Sequence, residues 1–231
     1  MLMRKVDELH LNYPNMGSRM LSDTLNLEGH QVNRKRLQRL MRLMGIEAIY
    51  PKKRLTVRNP EHEIYPYLLR GTKVTLRNQV WSTDITYIPV KTGFLYLVAV
   101  IDWFSRFVLS WRLSNSLNND FCIAALCEAF ELYGVPSIFN TDQGSQFTAL
   151  NFINELKTRG IAISMDGKGR ALDNVYIERL WRTVKYEEVY LKDYYDGQYA
   201  YKSLARFFQH YNYRRPYSEL NKKPPSYTYL E

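Results

Sequence analysis

The chain has 231 residues, two cysteines and a formal net charge of +9. This length accommodates one mid-sized domain and a small one, and 45% hydrophobic residues exclude a disordered composition. The sequence has no apolar run of the roughly 18 residues that a membrane span needs, and its charged start is unlike a signal peptide. We therefore expect a cytoplasmic protein whose cysteines, Cys122 and Cys127, are reduced core residues. Its excess positive charge favours nucleic acid as a partner, with a basic enzyme that has no polyanion partner as the alternative.

Residues 1–50 predict a small helical domain. Its second helix is predicted over Ser18–Leu27, with Ser18 as a possible cap, and its third over Asn33–Met44. Residues 1–55 hold eleven Lys/Arg and five Asp/Glu, a net charge of +6. This pattern is typical of a helix-turn-helix that lays its third helix against DNA, and a solvated basic face is the alternative. The candidate DNA contacts on that helix are its basic residues, Arg34, Lys35, Arg36 and Arg39.

Residues 51–77 are basic, contain three prolines and show no periodicity, so we interpret them as a linker. The pattern then changes to three consecutive predicted strands, followed by alternating helices and strands, within residues 78–231. The predicted strands are Val80–Val90, Phe94–Ile101, Phe107–Leu113, Ser137–Asn140 and Ile161–Ser164. This order predicts an α/β fold, with one mixed five-stranded sheet and flanking helices.

Three acidic residues fall at positions where an acid has no ready structural explanation. Asp84 lies in a strand interior, which disfavours Asp, and Asp142 directly follows the fourth strand in a glycine-containing turn. Glu178 lies on a predicted helix whose core-facing stripe is Ile177, Leu180, Trp181 and Val184. A carboxylate beside that stripe could meet the other two acids at the edge of the sheet.

Converging carboxylates repel each other unless cations lie between them. Hard oxygen ligands favour Mg²⁺ or Mn²⁺, and two such ions about 4 Å apart support in-line displacement at phosphorus. Each acid taken alone has an ordinary structural interpretation, and the chain contains competing acids. Asp102 is expected to be structural, or to contact the metal-binding acids without binding metal itself. Asp173 is expected to cap the helix of Glu178. The other competing acids are Asp120 and Asp166.

Four sequence elements resemble the bacterial insertion-sequence transposases whose catalytic core is similar to retroviral integrase. The first is Trp81-Ser82-Thr83-Asp84-Ile85-Thr86-Tyr87, and the second is Thr141-Asp142-Gln143-Gly144-Ser145-Gln146-Phe147. The third runs from Ser164 through Asp173-Asn174 and Ile177-Glu178-Arg179 to Lys185, and the fourth is Tyr211-Asn212-Tyr213-Arg214-Arg215-Pro216. Between Asp142 and Glu178 lie 35 residues, which is the spacing of the family's Asp, Asp-35-Glu motif.

The resemblance implies a ribonuclease-H-like fold in which Asp84, Asp142 and Glu178 are the catalytic residues. It also implies that these three acids bind a pair of Mg²⁺ or Mn²⁺ ions. It implies a DNA transposase that nicks the end of a mobile element and then joins the freed 3′-OH to another phosphodiester. No covalent protein–DNA intermediate is expected. Candidate DNA contacts in this part of the chain are Asn174, Lys185, Arg182 and two cations of a glycine-containing loop, Lys168 and Arg170.

The expected partners are double-stranded DNA, as element ends and target, and further copies of the chain assembled on that DNA. Relatives are commonly made by frameshifting, so the resemblance also implies an upstream-frame partner or fused segment, and the protein would act on the bacterial nucleoid. The sequence departs from the family in having Tyr217 where a histidine commonly follows Arg-Pro, and it lacks the His/Cys zinc-binding domain of retroviral integrases. Two alternatives stay open: a nuclease of the same fold without strand transfer, and a DNA-binding regulator with an inactive core.

Overall fold

The chain forms two compact units, Met1–Arg58 and Asn59–Glu231. The computed structural model describes residues 1–50, 63–167 and 174–230. Within those ranges, no helix combines the length and the apolarity required to cross a membrane.

The first unit contains three helices, α1 (Leu2–Asn12), α2 (Ser18–Leu27) and α3 (Arg34–Met44). Asn33 caps α3, because its side chain accepts a hydrogen bond from the backbone N–H of Arg36, and Gly45 ends that helix in the left-handed conformation. The predicted capping role of Ser18 is wrong: Gly17 is the residue before α2, and Ser18 is already helical. The helices enclose a small apolar core made by one face of each, whose buried members are Val6, Leu21, Leu25, Val32, Leu37, Leu40 and Met41.

The second unit is built on a five-stranded mixed sheet in the order β3-β2-β1-β4-β5. The first three strands are antiparallel neighbours, β4 is parallel to β1, and β5 is parallel to β4. This arrangement confirms the predicted fold. The strands are β1 (Val80–Val90), β2 (Gly93–Asp102), β3 (Val108–Ser114), β4 (Ile138–Thr141) and β5 (Ala162–Met165).

Helices cover both faces of the sheet and create two cores. Trp81, Val98 and Leu109 face one core, to which α4 and α5 contribute. Ile88, Leu97 and Ala99 face the other, to which α6 and α7 contribute. The alternation of side chains along β1 therefore puts Ser82, Asp84 and Thr86 on the face that α6 covers. The helices are α4 (Asp120–Tyr133), α5 (Leu150–Lys157), α6 (Val175–Glu187), α7 (Gly197–Tyr213) and α8 (Pro225–Leu230).

The predicted linker is only partly separate from the second unit. Residues 51–62 lie outside the described residues, whereas residues 63–77 pack against the sheet domain. Leu69 is buried, and the backbone N–H of Leu68 donates a hydrogen bond to the Ser164 hydroxyl at 3.1 Å. The compact unit therefore begins earlier along the chain than the change in hydrophobic pattern at residue 78.

Both cysteines lie on α4 as free thiols. Cys122 is buried, as predicted, and Cys127 is half-buried, with its thiol 3.7 Å from a carboxylate oxygen of Glu155.

Candidate active site

Asp84 lies in the middle of β1 and is half-buried under α6. One of its carboxylate oxygens accepts a hydrogen bond from its neighbour Ile85 N–H at 2.7 Å, and the other accepts one from the indole N–H of Trp181 at 3.0 Å. Burial, followed by the negative charge of Asp142, raises the pKa of Asp84 to about 6. Glu178 contributes in the same direction. The strand thus holds a carboxylate whose charge is costly in this environment.

Asp142 lies beside Asp84 because β4 runs parallel to β1. Ser82 pairs with Asn140 in that register, so Asp142, the residue directly after β4, lies near Asp84, and its charge acts on the Asp84 carboxylate. The backbone N–H of Gly144 donates to Asp142 Oδ1 at 2.8 Å. A side chain at position 144 would not fit, because a Cβ there would lie 2.8 Å from that same oxygen. Burial raises the pKa of Asp142, and the Gly144 hydrogen bond opposes the shift.

Glu178 lies in the first turn of α6 and is exposed. The predicted apolar stripe is confirmed, since Ile177, Leu180, Trp181 and Val184 are all buried. Trp181, three residues after Glu178, packs into the core and reaches Asp84 through its indole N–H. This contact fixes the start of α6 over the acid pair and explains why the charge of Glu178 acts on Asp84.

The three predicted acids are brought together only in part. Among the residues that the structure describes, no three His, Cys, Asp or Glu side chains lie close enough to hold a metal ion. Asp84 and Asp142 are neighbours, and Glu178 is within electrostatic reach of Asp84. In the described parts of the chain, no lysine or arginine forms a salt bridge with any of the three. Hard oxygen donors with raised pKa values and no paired base fit a divalent cation.

The competing acid Asp102 has the structural role expected of it. It is fully buried at the end of β2 and accepts hydrogen bonds from the Asn78 N–H at 2.9 Å, the Ser105 N–H at 2.8 Å and the Ser105 hydroxyl at 2.6 Å. These bonds hold the turn between β2 and β3. Asp120 begins α4, where it accepts a hydrogen bond from Asn118, and Asp173 lies outside the described residues.

Asp166 is the acid whose position the sequence did not reveal. It directly follows β5, and its backbone N–H donates to the Thr141 carbonyl at 2.9 Å, which sets it one strand away from Asp142. The side-chain amide of Asn140 donates to Asp166 Oδ1 at 2.8 Å. Asp84 in β1, Asp142 directly after β4 and Asp166 directly after β5 therefore follow one another across this edge of the sheet. Asp166 could have been placed beside Asp142 only from the parallel pairing of β4 with β5, and the prediction of individual strands does not give that pairing.

The candidate DNA contacts differ in exposure. Arg182 is exposed on α6, with its guanidinium 5.8 Å from the ring centre of Tyr186, and Lys185 is half-buried on the same helix. Asn174 is buried at the start of α6, and its side-chain oxygen has no partner among the described residues. Lys168 and Arg170 lie outside the described residues. The four candidates on α3 are all exposed: Arg34, Lys35, Arg36 and Arg39.

Comparison with protein families gives matches to both units. Residues 75–171 match the model of an integrase core domain, and residues 159–225 match a second model of an integrase core domain. Residues 1–54 match an HTH-like domain. The three models together extend over most of the chain and agree with a helical unit followed by a sheet domain.

The chain is also similar to proteins of bacterial insertion sequences. It is 32% identical to InsK of insertion sequence element IS150 from Escherichia coli (strain K12), over 92% of this chain and 77% of that protein. It is 31% identical to the transposase for insertion sequence element IS904 from Lactococcus lactis subsp. lactis (strain IL1403), over 90% of this chain and 85% of that protein. The chain belongs to the family of insertion-sequence transposases that carry an integrase core domain.

Among solved structures, the HTLV-2 integrase catalytic core domain in complex with magnesium shares the fold. The match has a TM-score of 0.56 at 21% identity and covers 68% of this chain and 99% of that one. It supports the ribonuclease-H-like class predicted for the sheet domain.

Proposed function

We propose that this protein is a DNA transposase that cleaves the ends of a mobile element and joins the freed 3′-OH to a phosphodiester of target DNA. The observation that carries the proposal is the side-by-side placement of Asp84 and Asp142 beneath the helix that holds Glu178. The acids that match the Asp, Asp-35-Glu motif come from two strands and a helix of an integrase-like core, in a chain of the transposase family.

Asp84, Asp142 and Glu178 would hold two Mg²⁺ or Mn²⁺ ions. Such ions, when bound, activate the attacking oxygen and stabilise the leaving one during displacement at phosphorus. Burial, followed by repulsion from Asp142, raises the pKa of Asp84, and a bound cation would offset both effects by stabilising the ionised carboxylates. The magnesium in the related integrase core is consistent with this choice of ion.

The protein's own side chains would set the geometry of the site. The Trp181 indole and the Gly144 N–H each fix one carboxylate oxygen, so that the two strand acids present a fixed pair of ligands. Glu178, exposed in the first turn of α6, would complete the set of metal ligands. No serine or tyrosine nucleophile is required, because water and the DNA 3′-OH serve as the attacking groups.

The helical unit would bind double-stranded DNA through the exposed cations of α3, and Arg182, Lys185 and Asn174 would contact the element end near the acids. We further propose that several copies assemble on DNA, together with an upstream-frame partner or fused segment, in the bacterial cytoplasm at the nucleoid. In this proposal, residues 1–50 are the DNA-binding domain and residues 78–231 form the catalytic core. Residues 51–77 connect the two, and the second half of this connection, residues 63–77, packs against the core.

The test is a nicking and joining assay on a DNA fragment that carries a candidate element end, with Mg²⁺ and with and without the upstream product. Asp84→Asn, Asp142→Asn and Glu178→Gln should each lower cleavage and joining by about a thousandfold, since each removes several kcal/mol of charge stabilisation. DNA binding should change by no more than about twofold, because these acids contribute little to phosphate contacts.

The matched controls are exposed acids of the same unit, Asp193→Asn and Glu131→Gln, which should keep full activity. Wild-type activity in any one triad variant would contradict the assignment of that acid. Nicking without joining, under every condition that includes the partner, would favour a nuclease instead. Absence of both reactions in the wild type, with DNA binding intact, would favour a regulator with an inactive core.

A further inference from the structure

The fourth sequence element, residues 211–216, ends α7 and is followed by a turn, and residues 211–223 together are named the C-terminal turn segment. This segment is attached to the sheet through Asn212, which is buried. The Asn212 side chain accepts a hydrogen bond from the Val108 N–H at 2.9 Å and donates one to the Val108 carbonyl at 2.8 Å. Because Val108 begins β3, these two bonds fix the segment to an edge strand of the sheet.

The turn is closed by its own backbone. The Tyr217 N–H donates a hydrogen bond to the Lys223 carbonyl at 3.1 Å, and the Leu220 N–H donates one to the Tyr217 carbonyl at 3.0 Å. Tyr217, which occupies the position where a histidine is common in the family, packs against the core beneath α6 and α7. The guanidinium of Arg215 lies 5.7 Å from the centre of the Tyr217 ring. The segment therefore presents its charged side chains from a backbone that is fixed in place.

Arg215 joins the segment to the end of α6. Its guanidinium donates two hydrogen bonds to the carboxylate of Glu187, at 2.7 Å and 2.6 Å. Glu187 is the last residue of α6. A paired contact between a guanidinium and a carboxylate is stronger and more directional than a single charged hydrogen bond. The last turn of α6 is therefore held by the C-terminal turn segment.

Glu219 joins the same segment to the start of α6. One of its carboxylate oxygens accepts a hydrogen bond from Arg179 at 2.6 Å, and the other accepts one from Arg106 at 3.1 Å. The Arg106 side chain is largely buried in the turn between β2 and β3. Arg179 directly follows Glu178 in the first turn of α6. Glu219 therefore connects the residue beside Glu178 to the sheet.

The start of α6 has few other polar contacts that fix it. Asn174 makes no side-chain capping bond there, and Glu178 lies on the exposed side of the helix. The hydrogen bond from Trp181 to Asp84 holds the helix at one point on its buried side. A group that binds metal or reacts has to be held to within about 0.5 Å, which requires support from the residues around it. The contacts at the two ends of α6 supply that support on the side of the helix that the core does not cover.

We propose that the C-terminal turn segment fixes the orientation of α6, and that Arg215 and Glu219 are positioning residues for Glu178. They act through the helix and take no direct part in metal binding or in the reaction. The proposal rests on the proposed function, in which Glu178 is a metal ligand, and it gives the fourth sequence element a role. Because ion pairs that are partly exposed contribute little to folding, loss of these contacts should alter the metal site more than the stability of the chain.

The first measurement is hydrogen exchange of the full chain, read by mass spectrometry without metal or DNA. Glu219→Gln keeps the shape of the side chain and removes its charge, so amides in the first half of α6 should exchange about three to five times faster. This range follows because a partly exposed ion pair changes an equilibrium by up to about fivefold. Arg215→Lys should have the same effect on the last turn of α6, since lysine cannot form the paired contact.

The matched control is Glu128→Gln, which removes another partly exposed ion pair of the same unit. Glu128 contacts Arg112 at 3.0 Å and joins α4 to β3. This variant should leave the exchange of α6 at the wild-type rate. Melting temperatures of all three variants should fall by no more than about 3 °C, which excludes general unfolding as the cause of faster exchange.

The second measurement is the Mg²⁺ concentration that gives half-maximal cleavage of the fragment with the element end. Glu219→Gln should raise this concentration about three- to fivefold and keep the rate at saturating Mg²⁺ within about twofold of the wild type. Arg215→Glu should raise it about tenfold, because repulsion from Glu187 replaces attraction. Adding Glu187→Arg to that variant restores an ion pair and should return the concentration to within about threefold of the wild-type value.

Unchanged exchange of α6 in both Glu219→Gln and Arg215→Lys would overturn the proposal. Faster exchange with an unchanged Mg²⁺ requirement would also overturn it, because the segment would then stabilise the helix without positioning Glu178. Exchange is measured without metal, DNA or reaction, so this failure is distinguishable from failure of the proposed function. A wild type that does not cleave, with variants that exchange faster, would remove the catalytic role of Glu178 and leave only the attachment of α6.

Discussion

Asp102 and Asp84 lie on neighbouring strands of the same sheet, yet the protein surrounds the two carboxylates in opposite ways. Asp102 accepts three hydrogen bonds from Asn78 and Ser105, and the positive charge of Arg106 also favours its ionised form. Asp84 accepts two hydrogen bonds and has the negative charges of Asp142 and Glu178 as neighbours. The first environment stabilises a turn, whereas the second leaves repulsion that a cation would relieve.

This comparison separates structural acids from acids available to a ligand, and burial does not make that distinction. Burial raises the pKa of both Asp84 and Asp102. What differs is the number of donors and the sign of the neighbouring charges. Glu188, directly after α6, resembles Asp102, because it is buried and receives hydrogen bonds from Lys192 and Tyr194.

The largest expected effect on stability comes from Asp102. Asp102→Ala leaves the N–H groups of Asn78 and Ser105 and the Ser105 hydroxyl without their acceptor, which should lower the free energy of unfolding by about 3 kcal/mol. The measurement is urea unfolding followed by tryptophan fluorescence, since all four tryptophans lie in the second unit. Asp193→Ala, at an exposed acid, should change the value by less than about 0.5 kcal/mol. A loss below about 1 kcal/mol for Asp102→Ala would mean that the turn does not depend on this carboxylate.

The next effect tests the ligand role of Asp84 by its response to metal. If Mg²⁺ binds only the folded core, a concentration of one hundred times its Kd should raise the free energy of unfolding of the wild type by about 2.7 kcal/mol. Asp84→Asn should abolish most of that rise, because it removes one charged ligand. It should also stabilise the metal-free protein by about 1 kcal/mol, since a neutral amide avoids both the cost of burying a charge and the repulsion with Asp142.

The matched variant for this metal response is Asp120→Asn, at an exposed acid at the start of α4, which should respond to Mg²⁺ like the wild type. Both are read from the same tryptophan unfolding curves in EDTA and in Mg²⁺. An equal Mg²⁺ response in Asp84→Asn and the wild type would place the metal away from Asp84.

Local patterns predicted most of the elements that carry these residues. The apolar period of α3, the eleven residues of β1 and the apolar stripe of α6 follow directly from the sequence, because each depends on neighbours in the chain. The sequence did not reveal α8, whose Tyr229 stacks on Phe107 at 4.9 Å from more than a hundred residues away. It also did not reveal that Asp166 follows Asp142 across the sheet, since strand pairing is a long-range property.

In the candidate site too, the sequence predicted the residues, and long-range packing determines their contacts. The identities of Asp84, Asp142 and Glu178 came from motif and spacing, and the structure adds the contacts that motifs do not contain, such as the hydrogen bond from Trp181 to Asp84. Asn174 illustrates the limit most clearly: its motif predicts a DNA contact, whereas its side chain is buried in the described structure. Whether an asparagine beside a helix start is structural depends on which partners tertiary packing gives it.

The smallest expected effect extends the comparison of structural and ligand-binding residues to two asparagines, Asn33 and Asn174, each of which precedes a helix. Asn33 accepts a hydrogen bond from the Arg36 N–H at 2.9 Å, whereas Asn174 makes no side-chain capping bond at the start of α6. Asn33→Ala should therefore lower the stability of the helical unit by about 1 kcal/mol. Far-UV circular dichroism should detect that loss, while tryptophan fluorescence, which reports on the other unit, should not change.

Asn174→Ala should leave the free energy of unfolding of the second unit within about 0.5 kcal/mol of the wild-type value and should weaken binding of the element end. A larger loss of stability with unchanged DNA affinity would assign Asn174 to the structural class that Asp102 defines.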